Sequence, residues 1–156
     1  MGYCEDIREM IGNSPLIFVR PSVAILNNKG EILLCRNVGG TWTIPGGTLQ
    51  LNESVEECIT RIVLKDIGIK IMALKLFGVY SGKELINRIE ESGDEYHPVA
   101  IVYICTEYDG EITPDNNHAI EAQFFKLNQL PERIVPIIKN KLFELKGQLE
   151  KMNDTF

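Results

Sequence analysis

The stretch that most constrains this chain runs from Thr41 to Ile69, TWTIPGGTLQLNESVEECITRIVLKDIGI. It opens like a strand, because Trp42 and Ile44 alternate with Thr41 and Thr43 as a pleated surface requires. Pro45 cannot donate to a ladder and stops that strand. Gly46 and Gly47 then permit a sharp turn that leaves backbone amides and carbonyls open to a ligand. The helix that follows carries signals at both ends. Ser54 and Glu57 have the S-x-x-E spacing of a capping box, and Glu56 and Glu57 lie in the first turn, where the helix dipole favours acids. Gly68 suits the position just beyond the last turn. The spacing predicts one helix over about 54–67.

Around this stretch the hydrophobic pattern predicts a mixed order of elements. Residues 3–11 read as a short helix, with Tyr3, Ile7, Met10 and Ile11 on one face that is expected to pack across a sheet. Strands are expected at about 16–26 and 31–36, joined by the hairpin signal Asn27-Asn28-Lys29-Gly30. Ile32 to Cys35 is apolar on both faces, as a strand covered on both sides must be. Beyond Gly68 the pattern suggests one long or bent strand reaching Tyr80, with Gly78 as a candidate bulge. Residues 81–94 read as a polar hairpin loop, and Val99 to Cys105 as the clearest buried strand. A turn at Asp109-Gly110, a loop from Asp115 to Glu121 and a further strand follow. Residues 132–151 have the spacing of an amphipathic helix, with Ile134, Ile137, Ile138, Leu142, Leu145 and Leu149 on one face. The order predicts an α/β fold with a mixed sheet between helices, built as a single domain over 1–156.

Charge and cysteine usage narrow the function classes. A formal charge of −6 without an evident basic surface argues against a nucleic-acid partner, but a nucleotide needs only a local pocket. Cys4, Cys35, Cys58 and Cys105 are scattered and show no C-x-x-C spacing, so free thiols and a cytoplasmic setting are expected. No segment reads as a membrane span or a signal peptide.

The organising stretch resembles the Nudix box of the MutT-like Nudix hydrolases, G-x5-E-x7-R-E-U-x-E-E-x-G-U with U apolar. Gly47, Glu53, Arg61, Val63, Gly68 and Ile69 match at the required spacing, whereas Ile62, Lys65 and Asp66 stand where the family has three glutamates. A second segment, EAQFFKLNQLP from Glu121 to Pro131, is similar to the late family pattern E-x-x-W/F-F-x-x-x-x-L-P. The resemblance implies a Nudix-like α/β/α sandwich around a mixed β-sheet. It also implies attack of water on a nucleoside diphosphate linked to another moiety, with Mg²⁺ or Mn²⁺ help. Many members of the family are homodimers, which makes a homodimer an option here.

In that resemblance, Glu53, Arg61 and Asp66 take the catalytic positions, Glu53 and Arg61 chiefly as a brace for the loop. Positions 62, 65 and 66 lie on one helical face and form the family's metal platform. Ile62 offers no ligand atom, and Asp66 is one methylene shorter than glutamate. Lys65 is a cation, and at 4 Å with an effective dielectric of 20 it would repel a divalent ion by about 8 kcal/mol, an upper bound because its long stem can swing away. Asp66, the Gly46 carbonyl and Glu121 are the remaining candidate metal ligands. Arg36, Lys65 and Tyr80 are the candidate substrate contacts, although a solvated strand end is the preferred account of Arg36, since lone surface arginines are common. Two functional readings follow. One is a divergent pyrophosphohydrolase with Mg²⁺ or Mn²⁺ bound weakly or not at all. The other is a non-catalytic nucleotide-binding module in which Lys65 pairs directly with a phosphate.

Overall fold

A computed structural model describes residues 2–135 and Gly147. The chain order is α1 (Tyr3–Ile11), β1 (Leu16–Ile25), β2 (Ile32–Arg36), β3 (Trp42–Thr43), α2 (Val55–Ile67), β4 (Lys70–Ile71), β5 (Lys75–Tyr80), β6 (Asn87–Arg88), β7 (Glu95–Cys105), β8 (Tyr108–Asp109) and β9 (Glu121–Phe125). β1 and β7 pair in parallel along their whole length, from Leu16 opposite Tyr96 to Ile25 opposite Cys105. β5 and β6 pair antiparallel with β7. A second sheet has the order β3-β2-β9, and β4 pairs with β8. The arrangement is the expected mixed α/β one.

Alternation along the strands gives the sheet two apolar faces. Val23, Ile25, Tyr103 and Cys105 point toward Ile59, Val63 and Ile67 of α2. Ala24, Leu26 and Ile104 point the opposite way, toward Ile32, Leu34, Trp42 and Ile44. Completely burying one such aliphatic side chain contributes about 1.5–3 kcal/mol, so α2 is held chiefly by this face. The helix is buried on one side only: Cys58, Ile59, Ile62, Val63 and Ile67 are buried, while Leu64 is 54% exposed.

The turn Pro45–Leu49 runs along the edge of β1 that β7 leaves free. Val23 N–H donates to Pro45 O at 2.9 Å, while Gly47 and Leu49 N–H donate to Pro21 O and Val19 O, each at 3.1 Å. This close approach requires glycine, since a Cβ on Gly46 would lie 2.7 Å from both Pro21 O and Ser22 Cβ. Ser54 then caps α2, its hydroxyl accepting from Glu57 N–H at 3.0 Å. Gly68 ends the helix in the left-handed region at φ 75°, its N–H bonded to Leu64 O.

Three expectations change. None of the residues of α1 is buried, so its apolar face does not join the core. Arg8 holds the helix in place instead, donating to Gly12 O, Ser14 O and Glu95 O and lying 4.5 Å from the Tyr96 ring centre. The single strand expected from Ile69 to Tyr80 is two strands, β4 and β5, in different sheets. The expected irregularity at Gly78 does occur, as a register shift between Leu76 and Gly78 against β7. The helix expected from 132 does not begin there, because Trp42 N–H bonds to Arg133 O and Val135 N–H to Trp42 O. Residues 136–146 and 148–151 of that helix lie outside the described residues.

The loop before α2 is braced by a two-pronged ion pair. Arg61 Nε and Nη2 donate to Glu53 Oε2 at 3.0 Å and Oε1 at 2.8 Å, and Glu53 Oε1 also accepts from Gln50 N–H at 2.8 Å. The Arg61 guanidinium, the largest cause, pulls the Glu53 carboxyl down to about 2 from 4.5. A folded-state pKa below the unfolded one gives stability that is present above pH 4.5 and lost as pH falls through about 2. Glu53→Gln is therefore expected to be less stable than wild type at pH 7 and to lose less stability across that acid window, as urea unfolding at each pH will show. Gly68→Ala should destabilise by about 1–3 kcal/mol in the same assay, because it forces a side chain into the left-handed region and against Thr113.

Candidate functional site

A cleft of about 800 Å³ opens between the Gly46-Gly47 turn and the C-terminal half of α2. Of the residues singled out from sequence, Gly46, Arg61, Lys65 and Asp66 line it. Glu53 is not part of the lining; it stands behind Arg61, which it orients. Arg36 and Glu121 are brought to each other, Nε to Oε2 at 3.1 Å, as opposed residues of β2 and β9. Neither lines the cleft. Tyr80 lines a second cavity of about 630 Å³, on the sheet face away from α2. The two cavities share a wall that includes Arg20, Asn37, Thr41 and Thr43.

The helical face where the resemblance expects a metal platform is built differently here. Ile62 is 7% exposed, and its Cδ1 occupies the space that a Cβ on Gly47 would need. Lys65 is exposed at the cleft and forms no ion pair among the described residues. Asp66 alone presents a carboxylate, half-buried, and burial raises its pKa above the ordinary value while the facing His118 opposes that shift.

Two further residues meet Asp66, and sequence reasoning missed both as site residues. The last carbonyls of a helix lack intrahelical partners. Here Ile67 O accepts from Thr113 N–H and Asp66 O from Asp115 N–H, both at 2.8 Å. The loop thus satisfies the end of α2 and sets its own side chains beside it. Asp115 Oδ1 accepts from the N–H groups of Asn117, His118 and Ala119 at 3.1, 3.0 and 2.9 Å. These backbone donors, with His118, outweigh burial and hold the Asp115 carboxyl at about 2. His118 Nδ1 lies 3.2 Å from Asp115 Oδ2 and 3.7 Å from Asp66 Oδ1. One ligand atom from each of Asp66, Asp115 and His118 falls within 4.8 Å of the others, a spacing that one divalent ion can bridge. The acid-plus-histidine run Asp115-Asn116-Asn117-His118 was visible in the sequence, but nothing local connected it to Asp66.

The four cysteines are unbonded; Cys35, Cys58 and Cys105 are buried. Burial, the largest cause in each case, pushes the Cys35 and Cys58 thiols up to about 12, so neither is a nucleophile at neutral pH. No helix among the described residues is long and apolar enough to cross a membrane.

Comparison with known proteins bears on the family and the fold. ADP-ribose pyrophosphatase from Methanocaldococcus jannaschii is 31% identical over 123 residues, which is 74% of this chain and 68% of the relative. NAD-capped RNA hydrolase NudC from Pseudomonas aeruginosa is 28% identical over 115 residues, but the chain spans only 37% of its length. Among solved structures, a MutT NUDIX hydrolase from Burkholderia pseudomallei superposes with TM-score 0.68 at 26% identity, covering 81% of this chain and 96% of that one. The NUDIX domain profile matches residues 18–145, and the chain belongs to the Nudix family.

Proposed function

We propose that this Nudix protein hydrolyses a nucleoside diphosphate linked to another moiety, using a divalent ion held by Asp66, Asp115 and His118 in place of the three-glutamate platform. The observation that carries this reading is the convergence of those three ligand atoms, two of them from Asp66 and His118, which line the cleft together with Gly46. The three-glutamate arrangement does not fit this chain, because Ile62 fills its position with hydrocarbon. The set present does fit a divalent ion. Two carboxylates and an imidazole suit Mn²⁺ or a softer ion better than Mg²⁺, which prefers oxygen ligands alone. When bound, such an ion lowers the pKa of water and offsets phosphate charge.

The remaining work falls to the chain itself. Glu53 fixes the Arg61 fork at the cleft wall. Lys65, exposed and without an ion pair among the described residues, is free to meet a phosphate oxygen as a point charge. The adjoining cavity, lined by Phe18, Phe77, Tyr80 and Tyr96, suits the planar end of a nucleotide. ADP-ribose is the first substrate to try, given what the archaeal relative is named for. The free thiols suit a reducing compartment, the cytoplasm.

The unpaired Lys65 also favours a second reading, a binding module in which this ammonium replaces the metal. Metal dependence separates the two. A screen of ADP-ribose, nucleotide sugars, dinucleotides and nucleoside triphosphates is expected to show hydrolysis that needs Mn²⁺ and stops in chelator. Asp66→Asn and His118→Ala should each weaken Mn²⁺ binding, read by calorimetry, by at least the roughly 10–100-fold that loss of an outer-shell partner costs. Nucleotide binding that is indifferent to metal, with no turnover of any substrate, would establish the module instead.

A further inference from the structure

Arg20 lies at the junction of the two cavities and lines both of them. It belongs to β1, whose alternate residues Phe18, Arg20, Ser22 and Ala24 all face the aromatic cavity. Its backbone is held from both sides. β7 pairs with it at Ala100, and the carbonyls of its neighbours Val19 and Pro21 accept from Leu49 and Gly47 of the cleft turn. The side chain nevertheless has no hydrogen bond or ion pair with any described residue. Burial pulls its pKa below the ordinary guanidinium value, and the group whose charge would oppose that shift, the Cys58 thiol, is itself pushed up to about 12 and is neutral at pH 7. By accessible surface Arg20 is only half-buried; a guanidinium that reaches both cavities without a partner acid can pair with an anion that enters them.

Resting on the hydrolase reading above, we infer that Arg20 is a substrate-binding residue that grips a phosphate at the neck between the two cavities. The phosphate concerned is the one nearest the nucleoside, whose planar end lies among Phe18, Phe77, Tyr80 and Tyr96. The rest of the substrate extends along the cleft toward Lys65 and Asp66. A guanidinium suits this position because its rigid fork can donate two parallel bonds to one phosphate. A strand braced on both edges supplies that fork already oriented, which lowers the entropy lost on binding.

The test compares adenosine, AMP and inorganic pyrophosphate by calorimetry on wild type, Arg20→Met and Arg20→Lys, with a thermal melt of each free protein. Wild type is expected to bind AMP more tightly than adenosine. Arg20→Met should lose AMP affinity by about 10–100-fold, as loss of charge-assisted hydrogen bonds predicts, and should keep its affinity for adenosine. Free Arg20→Met should melt no lower than wild type, since it loses a half-buried charge that has no partner among the described residues. Arg20→Lys, which keeps the charge without the fork, should retain part of the preference for AMP. Equal AMP affinity in wild type and Arg20→Met, or no difference between AMP and adenosine in wild type, overturns the inference. An Arg20-dependent preference for AMP in a protein that hydrolyses nothing supports it and overturns the hydrolase reading alone. Arg20-dependent binding of pyrophosphate without any binding of adenosine supports the phosphate grip and removes the nucleoside from the second cavity.

Discussion

The site depends on how closely the Pro45–Leu49 turn seats against β1. Three backbone hydrogen bonds, at 2.9, 3.1 and 3.1 Å, join the two segments. They form because Gly46 has no side chain to strike Pro21 and Ser22. The consequences spread outward from that contact. The turn becomes one wall of the cleft, the loop after it delivers Ser54 to cap α2, and Arg20 is fixed between two carbonyls that are both engaged. A substitution at Gly46 would therefore disturb the cleft, the start of the helix and the neck between the cavities together.

The far end of α2 shows a related economy. Helix ends leave carbonyls without partners, and here a loop distant in sequence supplies the missing N–H groups. In doing so it sets Asp115 and His118 beside Asp66, so structural satisfaction of the helix also assembles a cluster of metal-ligating groups. The cleft consequently mixes both signs of charge. Asp66 and His118 line it where α2 ends, beside Lys65 of the same last turn, while Arg20 stands at its neck without an ion pair among the described residues. A substrate carrying a chain of phosphates, some held by an ion and some by cations, matches that distribution of charge. The lack of a partner for Arg20 in the free protein is what a group kept for binding rather than for folding would show.

Much of the frame was legible beforehand, for reasons that are local. The cap at Ser54, the stop at Gly68 and the alternation in β1, β2 and β7 are written within a few residues of where they act. The family resemblance rested on the same spacing from Gly47 to Ile69. What failed involved competition between segments. Residues 133–135 have helical spacing but pair with Trp42, and the apolar face of α1 is outbid by the hydrogen bonds of Arg8. The stretch from Ile69 to Tyr80 is apolar apart from Lys70, Lys75 and Gly78, yet it divides between two sheets because β8 and β7 each claim part of it.

The chemistry divides along the same line. The sequence by itself determined the family frame, the Glu53–Arg61 brace and the loss of two platform glutamates to Ile62 and Lys65, because each is a matter of residue type at fixed spacing on one turn-and-helix unit. Only the tertiary structure decided that Arg36 and Glu121 engage each other across neighbouring strands, that Asp115 and His118 meet Asp66, and that Arg20 stands unpaired between two cavities. Those relations join residues far apart in the chain. They are set by which backbone groups still lacked a partner once α2 and β1 had formed, a balance that exists only when the whole chain is folded.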